Sequence, residues 1–398
     1  MNHWNDAAAA LLPEMIALRR AIHAEPELGL HTPLTVQKAR AGLAGLPLEF
    51  VEGTSTTGFV ATLRGPANGR TVLLRADMDA LPLHEDTGLP FASRSDNAMH
   101  ACGHDTHVAM LVGAARALCA QRERLAGTIQ FMFQPGEEGW HGARHMLDEG
   151  LIDPLPDAAF ALHISPNVPT GIIAGRAGPL LAAADRFEIT IIGKGGHASQ
   201  PHDAIDPIPV ACEIVMAIQA LVTRRVPAFD PAVITVGRFT SGTASNITPE
   251  RAVIEGTVRS FSEDSRALAH EGLRRLVANI AAAHLCTGEI LIELGFPVTV
   301  CDRGAVDLAR RTTKTLFGDD AWMEMPTPAM GAEDFAYVLQ KAPGAMVFLG
   351  ATPEGGDWRS CCSLHSNRMV LDESAMARGA ALHCALAEAS LAEGAEHV

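Results

Sequence analysis

Short, mostly apolar runs punctuate the first half of this chain, and each ends in or near side chains capable of chemistry. Residues 71–75, 128–133 and 158–164 are predominantly apolar runs of this kind, interrupted only by Gln130 and by polar residues at or near their ends, and their length predicts fully buried strands. Between the first two, residues 108–119 carry Ala109, Met110, Leu111, Val112, Ala114, Ala115 and Leu118, the small apolar surface of a packed helix. Residues 7–24 read as another helix, with Leu12, Ile16 and Leu18 apolar and Arg19 and Arg20 near its end. Pro135-Gly136 breaks the second strand, and a short helix follows over 143–147. Strands alternating with helices predict an α/β domain with a mostly parallel sheet. The polar residues sit just past the strands' carboxyl ends, where open α/β sheets place their sites.

The pattern changes over residues 184–294. Strand patterns at 187–192, 232–239, 251–260 and 289–293 are interleaved with helices at 206–222 and 264–284. The second helix presents Leu273, Leu276, Val277 and Ile280 as one stripe. The order β-α-β-β-α-β is a split, ferredoxin-like unit. Residues 184–294 are therefore expected to form an α+β domain inserted into a discontinuous one made of 1–183 and 295–398, which resumes with helix and a buried strand at 345–349.

Composition narrows the possible partners. The chain has 398 residues, 47% hydrophobic, and a formal net charge of −15. That charge disfavours nucleic acid and anionic membranes as partners. No unbroken apolar run approaches the ~18 residues of a membrane span. The apolar residues 7–12 follow Asp6 without a basic segment and stop at Pro13, so no secretory signal is expected and a cytoplasmic setting is. Eight cysteines scattered through so long a chain are not a disulfide framework.

Candidate chemistry concentrates in His100-Ala101-Cys102-Gly103-His104-Asp105. Thiolate and imidazole are good ligands for zinc and its neighbours, and Gly103 permits the tight turn that would bring them together. An isolated Cys-x-His is more often a buried thiol beside a surface ring. Here Glu137-Glu138 follows a buried strand and a Pro-Gly turn. Adjacent side chains diverge, so one carboxylate could bind metal while the other moves a proton. His163 ends the run 158–162, and His365 lies in Ser363-Leu364-His365-Ser366-Asn367. Alone, each would be a weak candidate ligand.

These motifs, with Leu18-Arg19-Arg20-Ala21-Ile22-His23, Arg75-Ala76-Asp77-Met78-Asp79-Ala80-Leu81-Pro82, Gly195-Gly196-His197-Ala198-Ser199 and Met330-Gly331-Ala332-Glu333-Asp334-Phe335, run through nearly the whole chain. Together they resemble the M20 metallopeptidase superfamily, within it the aminoacylase-like amidohydrolases such as hippurate and auxin-conjugate hydrolases. The resemblance implies a hydrolase-like, mostly parallel-sheet catalytic domain and an inserted lid or dimerisation domain. It implies a homodimer or higher homo-oligomer. It also implies that Cys102, His104, Glu138, His163 and His365 hold two divalent ions (zinc, manganese, cobalt or nickel), with Glu137 as general base. The thiolate favours zinc. Asp77 and Asp79 stand where broader M20 enzymes carry His-x-Asp, and are expected to support the ligands rather than bind metal. His197 is implied to reach substrate, commonly in the partner subunit's site, and to stabilise an oxyanion; Asn246 and Gly331 are implied to touch substrate, and Arg259 either to meet a carboxylate or to be a solvated charge at a strand end.

The expected reaction is hydrolysis of a small N-acyl-amino acid to a carboxylic acid and a free amino acid. Alternatives within the superfamily are a dipeptidase, a carboxypeptidase or an N-acetyl-diaminopimelate deacetylase. The Cys-Gly-His-Asp loop argues for the amidohydrolase branch. A non-catalytic small-molecule binder would be expected to have lost part of the Glu137 and five-ligand set.

Overall fold

The structure, a computed structural model, describes residues 2–357, 359 and 362–393, so Cys361 lies outside the described residues. The chain divides into two compact units. One comprises Met1–Leu180, Val300–Thr327 and Asp334–Val398; the other comprises Leu181–Thr299 and Pro328–Glu333.

The first unit is built on an eight-stranded sheet. Its spatial order is Glu49–Glu52, Phe59–Arg64, Ala126–Gln134, Ala67–Asp77, Ala158–Ser165, Gly344–Gly350, Ile173–Gly175 and Trp322–Glu324. The four central strands, from Ala126–Gln134 to Gly344–Gly350, run parallel, and the strands flanking them are antiparallel. Every residue from Thr71 to Asp77 and from Ala158 to Ser165 is buried. Strands covered on both faces read as continuous apolar runs rather than alternating ones, which is why they were visible in the sequence. Helices Asn2–His23, His104–Ala120 and Ala375–Ala392 pack together, the last two also against the central strands. In register, Asp77 lies opposite Gln134 and Phe348 opposite His163. The carboxyl ends of the central strands thus emerge together, carrying Asp77, Gln134 and His163 to one edge.

The second unit is a four-stranded antiparallel sheet with two helices. Its order, Ala232–Ser241, Arg251–Ser260, Ala183–Ile192, Thr287–Glu293, is the ferredoxin-like pairing that the β-α-β-β-α-β sequence order predicts. Phe187, Ile189, Ile214, Ile218, Ile254 and Leu273 form its core. Helix Pro207–Arg225 has the length and mean hydropathy (1.4) of a membrane span. Its buried residues Val210, Ala211, Ile214, Ile218 and Leu221 belong to this core, which accounts for its apolar content. The segment Pro328–Glu333 joins the unit through backbone bonds such as Ala182 N–H to Gly331 O, 2.8 Å. Among the described residues, seven cysteines are present as free thiols.

Candidate metal centre

The loop between residues 100 and 104 is shaped by Gly103. Its φ is +86°, and a Cβ there would lie 2.5 Å from Ile164 Cγ2. Gly103 caps helix His104–Ala120, so Cys102 and His104 leave the turn on the same side of the helix start. Gly103→Ala should therefore cost about 1–3 kcal/mol through its left-handed backbone and overpacking. Urea unfolding monitored by circular dichroism measures this, and an unchanged midpoint would refute it.

The five candidate ligands come together in two overlapping groups. The donor atoms of Cys102, His104 and His163 lie within 4.8 Å of one another, as do those of Cys102, Glu138 and His365. Cys102 belongs to both. Its sulfur is 3.3 Å from His163 Nε2, and His365 Nε2 is 3.4 Å from Glu138 Oε1. Two ligands bound ~2.0–2.3 Å from a tetrahedral ion stand about 3.3–3.8 Å apart, so these spacings suit a shared cation. His104 Nε2 and Glu138 Oε1 are buried polar atoms that make no well-formed hydrogen bond; they stand 4.0 Å from each other, facing other candidate donors, as atoms aimed at an ion would. The residues present fit a metal site.

Hydrogen bonds to the far side of each ring decide which nitrogen faces the site. His104 Nδ1 is 2.9 Å from Asp79 O, and His163 Nδ1 is 2.7 Å from Ile164 O. A carbonyl can only accept, so both rings carry hydrogen on Nδ1 and offer Nε2. His365 has φ +67° and its N–H donates to Ala101 O at 2.8 Å. That bond ties a distant loop to the Cys102 turn.

The electrostatics divide the rings. Hydrogen bonds to Cys102 and Glu138 push His365 up to about 10, against its burial. His104 is buried, yet the charges of Asp77 and Cys102 hold it well above the usual imidazole range. Burial and the neighbouring His107 push His163 well down, leaving it neutral. Burial raises the Cys102 thiol, with His104 opposing. These surroundings favour protons on His104 and His365, which a bound cation would displace, freeing each Nε2 to ligate.

Glu137 sits in a further group with His104 and Glu138 and is 6% exposed. Asp79 holds the pair: its carboxylate accepts the backbone N–H of Glu137 and of Glu138, each at 2.9 Å. With its carbonyl on His104, Asp79 positions three members of the site at once. Asp79→Ala should lower activity by the ~10–100-fold typical of groups that orient ligands while the protein remains folded; steady-state kinetics beside a circular dichroism spectrum would test it.

Behind the ligands lies a network of which the sequence pointed to Asp77 as a support but not to its partners. Asp77 accepts from His107 Nδ1 at 2.5 Å and from Arg75 at 2.6 Å. Although buried, its carboxyl is held well below the usual range by Arg75, His104 and His107. Asp77, His104 and His107 also have the spacing of a metal group, but His107 Nε2 accepts the Ile164 N–H at 2.8 Å. With Nδ1 given to Asp77, His107 has no nitrogen left for an ion. Asp334 accepts from Gln134, Arg75 and the Ala143 N–H, closing the network under the Glu137 loop. The signal available in sequence was His107 itself, one helical turn after His104.

The remaining candidates lie in the second unit. His197 and Asn246 meet on a two-stranded ladder, where His197 pairs with Ile247 and Ala198 N–H donates to Asn246 O at 3.2 Å. Both are exposed. Arg259 is half-buried, and burial lowers its pKa. Its Nη1 is 3.4 Å from Met330 O, beside Gly331.

A parallel-sheet domain with thiolate, imidazole and carboxylate donors converging near its strand ends is suited to hold divalent metal. The chain matches the model of peptidase family M20/M25/M40 over residues 73–389 and belongs to that family. It is 39% identical to thermostable carboxypeptidase 1 of Saccharolobus solfataricus over 378 residues, 94% of each chain. It is 37% identical to N-acetylcysteine deacetylase of Bacillus subtilis, over 93% of this chain and 95% of that one. It is 36% identical to IAA-amino acid hydrolase ILR1-like 2 of Arabidopsis thaliana, over 96% and 86%. A solved Bacillus subtilis structure, described as a dinuclear metal-binding peptidase from the M20 family, superposes with a TM-score of 0.83 at 34% identity, covering 96% of this chain and 99% of that one.

Proposed function

We propose that this protein hydrolyses the amide bond of N-acyl-amino acids. The observation that carries this reading is the meeting of two donor groups at Cys102 with Glu137 alongside. Bound there by Cys102, His104, Glu138, His163 and His365, two divalent cations would supply Lewis-acid polarisation and a lowered water pKa. Glu137 takes the proton of the attacking water and returns it to the leaving nitrogen. His197 donates a hydrogen bond to the oxyanion. Arg259, half-buried with a carbonyl contact at Met330, is suited to the substrate's carboxylate, with Asn246 and Gly331 as further contacts.

A carboxypeptidase reading is supported by the 39% identity to a carboxypeptidase. Both reactions cut an amide next to a free carboxylate, so the site chemistry does not separate them. Metal-reconstituted protein assayed against N-acetyl, N-benzoyl and indoleacetyl amino acids and against dipeptides does. Acyl-amino acid turnover exceeding dipeptide turnover is expected, and the reverse order would replace the first reading with the second. Turnover of neither class would favour a binding module. We infer a homodimer from the inserted unit, and light scattering in solution tests it.

A further inference from the structure

Ser199 fixes which nitrogen of His197 faces outward. The turn around His197 is pinned on both sides. Gly196 and His197 pair with Thr248 and Ile247, and Gln200 N–H returns to His197 O at 2.8 Å. A Cβ on Gly196 would lie 2.8 Å from the Ala204 Cβ, so the backbone entering the turn is closely packed while the His197 side chain stays exposed. Held in this turn, the Ser199 N–H points at His197 Nδ1 at 3.1 Å, and the Ser199 hydroxyl lies 2.8 Å from the same atom.

A backbone N–H can only donate. Nδ1 must therefore present its lone pair, and the neutral ring carries its single hydrogen on Nε2. The hydroxyl, free to rotate, adds a second donor to the same nitrogen. This is the reverse of His104 and His163, where carbonyls hold hydrogen on Nδ1 and leave Nε2 to accept. The same side chain is thus set as an acceptor in the metal centre and as a donor in the second unit.

We propose that Ser199 is a positioning residue that keeps His197 in the Nε2–H form, so that it can donate to a developing oxyanion. This rests on the oxyanion role given to His197 above. The tautomer itself rests only on the contacts within the turn.

The test is NMR of the full chain labelled with 15N-histidine. Among the 17 histidines, His197 is assigned by the signal lost in His197→Gln. The expected spectrum shows Nδ1 bare and Nε2 protonated, and Ser199→Ala moves a measurable fraction to the other tautomer. In the same variant kcat should fall about 3- to 10-fold, the range set by one net hydrogen bond, with KM unchanged, and Ser199→Thr should restore it. A protonated Nδ1 in the parent protein, or Ser199→Ala with both spectrum and kcat unchanged, overturns the proposal. If His197→Gln keeps the parent kcat while the tautomer is as expected, the oxyanion role fails and the Ser199 contact is structural only.

Discussion

Glu137→Gln is expected to retain its full metal content and to lose about 10²–10⁴-fold in kcat, the contribution of general acid–base assistance. The amide keeps the size of the carboxylate and the loop stays in place, because Asp79 grips the backbone N–H at 137 rather than the side chain. The capacity to take and return a proton is removed. The corresponding change at its neighbour, Glu138→Gln, should instead lower metal content, since Glu138 Oε1 stands 3.4 Å from His365 Nε2 in one of the two donor groups. Elemental analysis beside initial rates separates the pair. Normal turnover in metal-replete Glu137→Gln protein would end its assignment as the base.

Cys102→Ala should lower metal binding more than the loss of His163 or of His365. His163 and His365 each belong to one of the two groups built around Cys102, whereas the sulfur belongs to both. Removing it should weaken both positions, by more than the ~10–100-fold that an orienting neighbour costs. His163→Ala should leave the Cys102, Glu138 and His365 group intact. The measurement is metal stoichiometry after dialysis against a graded chelator series, with protein concentration from the tryptophan absorbance. Equal retention in Cys102→Ala and the parent protein would make the thiol a packing residue, and the 7% exposure of Cys102 would then be its whole significance.

The sequence made the strands and the ligand types legible for one physical reason. The central strands are covered on both faces, so 71–75, 128–133 and 158–164 stood out as apolar runs, and the structure extends them only at their ends, to Ala67–Asp77, Ala126–Gln134 and Ala158–Ser165. The two strands at the sheet's antiparallel edge, Glu49–Glu52 and Phe59–Arg64, went unnamed; the first is short and largely exposed, although Phe59 to Leu63 between two glycines was a readable signal. The sequence marks Asp77 and Asp79 as supports, because the Cys102 turn supplies better ligands, but does not show what each supports. Asp79 acts on residues 58 and 59 positions downstream, and Arg75 reaches Asp334 across 259 positions. No local periodicity records such pairings. The tautomers were invisible for the same reason, because they are set by backbone carbonyls and N–H groups whose aim depends on the folded path.

Those carbonyl contacts have one more consequence. Because His104 and His163 are anchored through the protein's own main chain and the His365 strap is bonded to Ala101, the receptacle does not depend on its guests for its shape. Stripping with a chelator should therefore be a reversible operation, yielding an inactive but native-like protein that regains function on re-addition, and different ions can be exchanged through one folded scaffold without a refolding step.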